Sequence, residues 1–204
     1  MTVSDATFAI IAGGRARRLG GVPKGLLRFD ERPIIETLLR SARPFAGVLM
    51  VTDDPEPYRP FGLRTVRDVV PNRGAPGGVH SALVHAATPW VFAVGCDMPF
   101  VTQAAVDGVL AERGDDVDVV AFHVGGRLEP LLAAYRSSLA ERWAAALAGE
   151  PSFHKLIQGF RARLLPEERL RAVDPDGRAL VSINSPEDLA RWGGALPGFT
   201  PGPP

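Results

Sequence analysis

FAIIAGGRARRLGGVPK, residues 8–24, decides how the whole chain is read. Phe8-Ala9-Ile10-Ile11-Ala12 is an apolar run too short for an independent helix and followed directly by glycine, so it predicts a buried first strand. Gly13 and Gly14 come next. Lacking Cβ atoms, they let the backbone turn sharply and bring amide N–H groups close to a ligand. Arg15, Arg17, Arg18 and Lys24 add four cations, and a second pair, Gly20-Gly21, keeps the segment a loop rather than a helix. A strand delivering such a loop predicts a site for a polyanion such as a nucleoside triphosphate. Two familiar phosphate loops do not fit. In a Walker A loop the lysine is followed by Ser or Thr, whereas Lys24 precedes Gly25; in a dinucleotide fingerprint the glycines open a helix, where this chain has arginines and Pro23.

Downstream, strand and helix alternate, which predicts an open α/β sheet. Gly25 to Phe29 reads as extended, and Pro33 opens a helix over Ile34 to Arg43 with apolar residues at 34, 35, 38, 39 and 42. Val48 to Val51 is a second strand running into Thr52-Asp53-Asp54-Pro55, and Leu63 to Val66 a third, ending at Asp68. Ligands in such sheets gather beyond the carboxyl ends of the strands, which places Thr52, Asp53 and Asp68 beside the first loop. PNRGAPGG, residues 71–78, reads as a flexible, lid-like connection into a helix over Val79 to Ala87.

Trp90 to Gly95 is the most strand-like run in the middle of the chain, and it ends in Cys96-Asp97-Met98-Pro99-Phe100. An aspartate at the tip of a buried strand, fixed by a nearby proline, can present its carboxylate to a metal. The bland alternative is a helix cap, but Thr102 is better placed to cap the helix Gln103 to Arg113. Cys96 reads as a small buried hydrophobe. Further on come strands at Asp118 to Val124 and through Tyr135, helices at Arg136 to Ala148 and Ser152 to Gly159, and a strand at Leu180 to Asn184. His154 and Lys155 read as a solvated helix face. Ser185-Pro186-Glu187-Asp188 then opens the last helix with a serine cap, a proline in the first helical position and an acid in the third. Asn184 has two readings, a turn residue closing the strand and a hydrogen-bonding group at the site.

At 204 residues, one domain over residues 1–192 is the expectation, and GGALPGFTPGPP, residues 193–204, reads as a mobile tail. Equal numbers of acidic and basic residues, 23 of each, argue against a broad nucleic-acid surface. The single cysteine excludes an internal disulfide framework, and no Cys/His group has zinc spacing. Residues 1–7 lack the pattern of a signal peptide and no apolar run reaches membrane-spanning length, which predicts a cytoplasmic protein.

The first loop matches, in order, the Ala-Gly-Gly-x-x-x-Arg-Leu/Met-Gly-x-x-Lys signature of nucleotidyltransferases related to the sugar-phosphate nucleotidyltransferases. Cys96-Asp97-Met98-Pro99, Glu129-Pro130-Leu131 and Ile183-Asn184-Ser185-Pro186-Glu187 extend the likeness, so that from Phe8 to Trp192 the chain resembles the molybdenum cofactor guanylyltransferases. The resemblance implies a Rossmann-like, mostly parallel mixed sheet flanked by helices in a single three-layer domain of the nucleoside-diphospho-sugar transferase type. It implies GTP as donor and the terminal phosphate of molybdopterin, carrying molybdenum, as acceptor. Ile11, Ala12, Gly13, Gly14, Arg15, Lys24, Thr52, Asp68 and Asp97 would then bind the nucleotide. Lys24, Asp97 and Arg18 would carry catalysis, Asp97 would hold Mg²⁺, and Asn184 and Ser182 would face the acceptor. A protein that delivers molybdopterin is a further partner compatible with the likeness. Thr52 stands where a typical member has Asn, and Pro23 where many guanylyltransferases have Asp and cytidylyltransferase relatives often have Pro. Both departures bear on the base more than on the reaction. The alternatives are a cytidylyltransferase on molybdopterin or another phosphate acceptor and, from another class, a nucleotide-binding protein without catalysis.

Overall fold

A computed structural model of the chain describes residues 2–13, 19–149 and 152–198. In chain order its elements are β1 (Val3–Ala12), β2 (Arg28–Phe29), β3 (Arg32–Pro33), α1 (Ile34–Ser41), β4 (Phe45–Thr52), β5 (Arg64–Val66), α2 (Gly74–His85), β6 (Trp90–Gly95), α3 (Gln103–Leu110), β7 (Val119–Val124), β8 (Arg127–Arg136), α4 (Ala140–Gly149), α5 (Phe153–Gln158), β9 (Ala162–Pro166), α6 (Glu167–Arg171) and α7 (Pro186–Arg191). Among the described residues, seven strands form one sheet in the order β5-β4-β1-β6-β8-β7-β9, with β2 and β3 as a separate hairpin. β1 runs parallel to both β4 and β6, β8 is antiparallel to β6 and β7, and β9 is parallel to β7. The sheet is therefore mixed, as the family likeness implies.

Strand periodicity sets the three layers. On β1, Phe8 and Ile10 face one side and pack with Ile34, Ile35 and Leu38 of α1 and with Val106 and Val109 of α3. Ala9 and Ile11 face the other and pack with Val79 and Leu83 of α2, Trp143 and Leu147 of α4, and Leu156 and Ile157 of α5. A two-residue alternation buried on both faces is what a continuous apolar run in a central strand produces. Trp143, fully buried, donates its indole N–H to the Pro76 carbonyl at 3.0 Å and so ties α4 to the start of α2.

Several expectations need correction. Leu180 to Asn184 is not a strand: residues 178–180 form a 3-10 turn closed by the Val181 amide on the Arg178 carbonyl at 3.0 Å, and the Ile183 amide donates to the Asp97 carbonyl at 2.9 Å rather than to a ladder. Gly25 to Phe29 divides into a 3-10 turn, Lys24–Leu26, and β2. α2 begins at Gly74 rather than Val79, with Pro76 in its first turn, where a missing N–H costs nothing. Part of the segment expected to be a tail is packed. The Ala195 amide donates to the Arg28 carbonyl and the Arg28 amide to the Ala195 carbonyl, both at 2.8 Å, so the chain through residue 195 is fastened to β2; residues 199–204 lie outside the described residues.

Candidate active site

The order of the sheet creates the site. The chain leaves β1 toward β4 on one side, and β6 flanks β1 on the other, so the crevice beyond the carboxyl ends of these strands is a topological switch point where ligands bind in open α/β sheets. A cavity of about 790 Å³ opens there. Ile11, Ala12 and Gly13 from β1 and its exit, Lys24, Thr52 at the end of β4, and Asp68 beyond β5 all line it, so six of the residues expected to bind nucleotide share one space; Asp97 is not among the lining residues but touches Lys24. Gly78, on α2, closes its floor: a Cβ there would lie 2.6 Å from Ile11 Cγ2, so only glycine lets the helix lie this close to β1.

The side of the cavity at the ends of β4 and β5 is acidic. The Thr52 hydroxyl is buried and bonded within its own turn, donating to the Asp54 carbonyl at 3.1 Å and accepting from the Asp54 amide at 3.2 Å. Asp53 and Asp54 also line the cavity. Burial, and secondarily the neighbouring Asp53 carboxylate, raise the Asp68 carboxyl above its ordinary 3.8; a hydrogen bond from Ser81 opposes this only in part.

At the other side, Lys24 Nζ donates to Asp97 Oδ2 at 2.8 Å and to Asn184 Oδ1 at 2.6 Å. Three segments far apart in sequence meet at one ammonium. The Lys24 and Asp97 side chains are only 16% and 17% exposed, which shields the pair from bulk water. Asn184 is set by the start of α7. There the Ser185 hydroxyl accepts from the Asp188 amide at 3.1 Å, and the Asp188 carboxylate accepts from the Ser185 amide at 3.0 Å and the Asn184 amide at 2.9 Å. This is the predicted cap; Asn184 sits at the turn before it, and its side chain accepts from Lys24. Ser182 is exposed two residues away, with its carbonyl 3.5 Å from the Asn184 amide nitrogen. Gly14, Arg15 and Arg18, the remaining expected contacts, lie outside the described residues.

The donor set bears on a metal. Among the described residues no three His, Cys, Asp or Glu side chains form a cluster able to hold an ion. Asp97 and Asn184 instead offer one carboxylate and one amide oxygen at the same point. Such hard oxygen donors fit Mg²⁺, which is commonly held by one or two carboxylates together with substrate phosphates and water. Cys96, buried beside them with its thiol pushed up to about 12 by burial, is inert as a nucleophile.

Sequence reasoning passed over Tyr58 and Asn72, which also line the cavity. Tyr58 follows the carboxyl end of β4, so the switch-point rule could have found it. Asn72 adopts a left-handed φ of 61°, a conformation that asparagine tolerates better than most residues.

Residues 8–169 match the family model described as the MobA-like NTP transferase domain. The probable molybdenum cofactor guanylyltransferase of Clostridium perfringens (strain 13 / Type A) is 32% identical over 64% of this chain, and the match spans 65% of that protein's length, just under two thirds. The molybdenum cofactor guanylyltransferase of Vibrio vulnificus (strain YJ016) is 31% identical over 92% of this chain and 94% of its own. Among solved structures, molybdopterin-guanine dinucleotide biosynthesis protein A from Archaeoglobus fulgidus superposes with a TM-score of 0.75 at 26% identity, covering 91% of this chain and 96% of its own. With residues 8–169 matching that model and the first loop opening into a cavity at the switch point of the sheet, the chain belongs to the MobA-like NTP transferase domain family.

Proposed function

We propose that this protein transfers GMP from GTP to the terminal phosphate of molybdopterin, releasing pyrophosphate, in synthesis of the guanine dinucleotide form of the molybdenum cofactor. The observation that carries the reading is the convergence of Asp97 and Asn184 on Lys24, which lines a cavity that also holds Asp53, Asp54 and Asp68. In the transfer, an oxygen of the acceptor phosphate attacks the α-phosphorus, the bond between that phosphorus and the α,β-bridging oxygen breaks, and pyrophosphate leaves with the electron pair. The acceptor oxygen is already ionised, so no general base is required. What the protein must do is align two anions and offset their charge.

Lys24 meets the phosphates, and Gly13 lets backbone amides approach them. Asp97 and Asn184 would hold Mg²⁺, which when bound offsets charge on the triphosphate oxygens. The acidic side favours guanine over cytosine on chemical grounds. Guanine presents two adjacent donors, N1–H and the N2 amine, to a carboxylate such as Asp68, whereas cytosine sets acceptors beside its single amine. The residues described place no membrane-spanning helix in the chain, and GTP and molybdopterin are the partners that this reading needs.

Calorimetric titration of GTP and CTP into the purified protein, with and without Mg²⁺, tests the reading. GTP is expected to bind at least about tenfold more tightly, the difference that one well-met hydrogen-bonded edge supplies, and Asp97→Ala is expected to remove the dependence on Mg²⁺. Preference for CTP, which Pro23 would then foreshadow, would move the assignment to a cytidylyltransferase. Binding of neither nucleotide would refute both.

A further inference from the structure

Gly25, the residue after Lys24, has no positive φ, so its backbone does not demand glycine. Its surroundings do. A Cβ at this position would lie 2.9 Å from Tyr58 Cε1 and 3.1 Å from Tyr58 Oη, closer than a methyl group can sit against a ring. The ring also lines the cavity, but it is 4% exposed and packed in the same core as Leu27 and Ile34, which holds it against Gly25. Gly25 lies within a tight 3-10 turn, closed by the Leu26 amide on the Pro23 carbonyl at 2.9 Å and the Leu27 amide on the Lys24 carbonyl at 3.1 Å. Tyr58 belongs to another such turn, residues Glu56–Phe61, which ends at Gly62 in the left-handed conformation and follows Asp53 and Asp54 on the acidic side of the cavity. The two turns touch through one ring and one missing side chain.

We infer that Tyr58 is a positioning residue for Lys24: its ring is the wall against which the Pro23–Leu26 turn is seated, and that seating aims the ammonium at Asp97, Asn184 and the triphosphate. The inference deepens the nucleotidyl-transfer reading and rests on it for the role of Lys24. Burial first, and the nearby Cys96, Asp54 and Asp97 groups after it, raise the phenol above its ordinary 10.0, with the Gly25 amide acting against them. Tyr58 is therefore neutral at any working pH. It serves as a rigid wedge rather than as an acid or base, and its influence on the reaction passes through the lysine.

The experiment compares Gly25→Ala, Tyr58→Leu and the double variant Gly25→Ala/Tyr58→Leu with the unmodified protein. Two readouts are used: kcat and KM for GTP, and the rate at which an acetylating reagent modifies Lys24 in the nucleotide-free protein, followed by mass spectrometry. A displacement of about 1 Å at a group that aligns phosphates costs on the order of 100-fold in rate. Gly25→Ala is expected to lower kcat by about 10- to 100-fold, with KM for GTP changed less than about threefold, because alignment rather than nucleotide binding is lost. Acetylation of Lys24 is expected to speed up several-fold as its hold on Asp97 and Asn184 loosens. In the double variant the shorter leucine leaves space for the new methyl group, and kcat is expected to recover at least about fivefold over Gly25→Ala alone, a coupling that independent sites do not show. A double variant no better than Gly25→Ala, or Lys24 acetylation unchanged in both single variants, would overturn the inference. If Gly25→Ala does not fold, Tyr58→Leu decides alone: faster acetylation of Lys24 supports the seating, and an unchanged acetylation rate refutes it. The acetylation readout holds whether or not GTP is the donor, so failure of the inference and failure of the functional reading are told apart.

Discussion

Lys24 satisfies two oxygens at once, and removing it would leave the Asp97 carboxylate, mostly shielded from solvent, without its cation. Lys24→Ala is expected to lower kcat/KM for GTP by roughly 100- to 1000-fold, the order of loss when one preorganised donor to developing transition-state charge is removed. Lys24→Arg is not expected to restore it, because a planar fork does not occupy the same point as a compact ammonium. Steady-state kinetics of the two variants checks both statements. Asp68 gives a second, pH-dependent expectation. Its carboxyl pKa is raised by burial and by Asp53, so the folded protein holds this proton at pH values where the unfolded chain, near 3.8, has released it. Stability therefore falls as pH rises through the interval between those values, and the charged Asp68 costs stability at neutral pH. Asp68→Asn is expected to raise the melting temperature at pH 7 while weakening GTP binding. In the unmodified protein GTP affinity should decline on the acid side at a pH above 3.8. Paired melting and binding curves across pH test the sign of both effects.

At the scale of elements, the helix that matters most is α2, whose close approach to β1 depends on Gly78. Gly78→Ala forces the helix away from Ile11, with an overpacking cost of about 1–3 kcal/mol and distortion of the cavity that both residues line. Chemical denaturation and GTP titration of this variant should change together, and a variant with native stability and native affinity would contradict the packing argument. The elements that were legible in the sequence are those whose signal is local. Trp90–Gly95 is buried at every position and Phe8–Ala12 nearly so, and the caps at Thr102 and Ser185 act within three residues, the former accepting from the Ala105 amide at 3.2 Å. Those that were not legible draw their order from distant partners. β9 went unread because it is an edge strand with Leu165 buried and Leu164 47% exposed, so it carries no clear alternation. Leu180–Asn184 has a strand's composition, yet its Ile183 amide is taken by Asp97 across the end of the sheet.

Over the whole molecule, alternating strands and helices implied an α/β sheet, but nothing in the periodicity stated its order or the single antiparallel strand β8 between β6 and β7. The site shows the same division. Individual residues at strand ends could be named from the chain, because a polar residue after an apolar strand is a local signal. Their meeting could not, since Lys24 reaches Asn184 across 160 positions of sequence. Because the cavity is lined from the carboxyl ends of β1, β4, β5 and β6 and from α2, a ligand that fills it ties these elements together. GTP with Mg²⁺ at about 100 times its dissociation constant should stabilise the fold by about 2.7 kcal/mol, a rise in melting temperature of roughly 5–11 °C for a chain of this size. CTP at the same concentration should give a smaller rise, and a scanning fluorescence melt distinguishes the two.

Guanylyl transfer is followed through the α-phosphate. Protein, Mg²⁺, molybdenum-loaded molybdopterin and GTP labelled at the α-phosphorus are combined, and the pterin product is separated. Label is expected in the pterin dinucleotide, with one pyrophosphate released for each transfer and both lost in Asp97→Ala. Label transferred from CTP in preference to GTP, or none transferred from either nucleotide, would contradict guanylyl transfer.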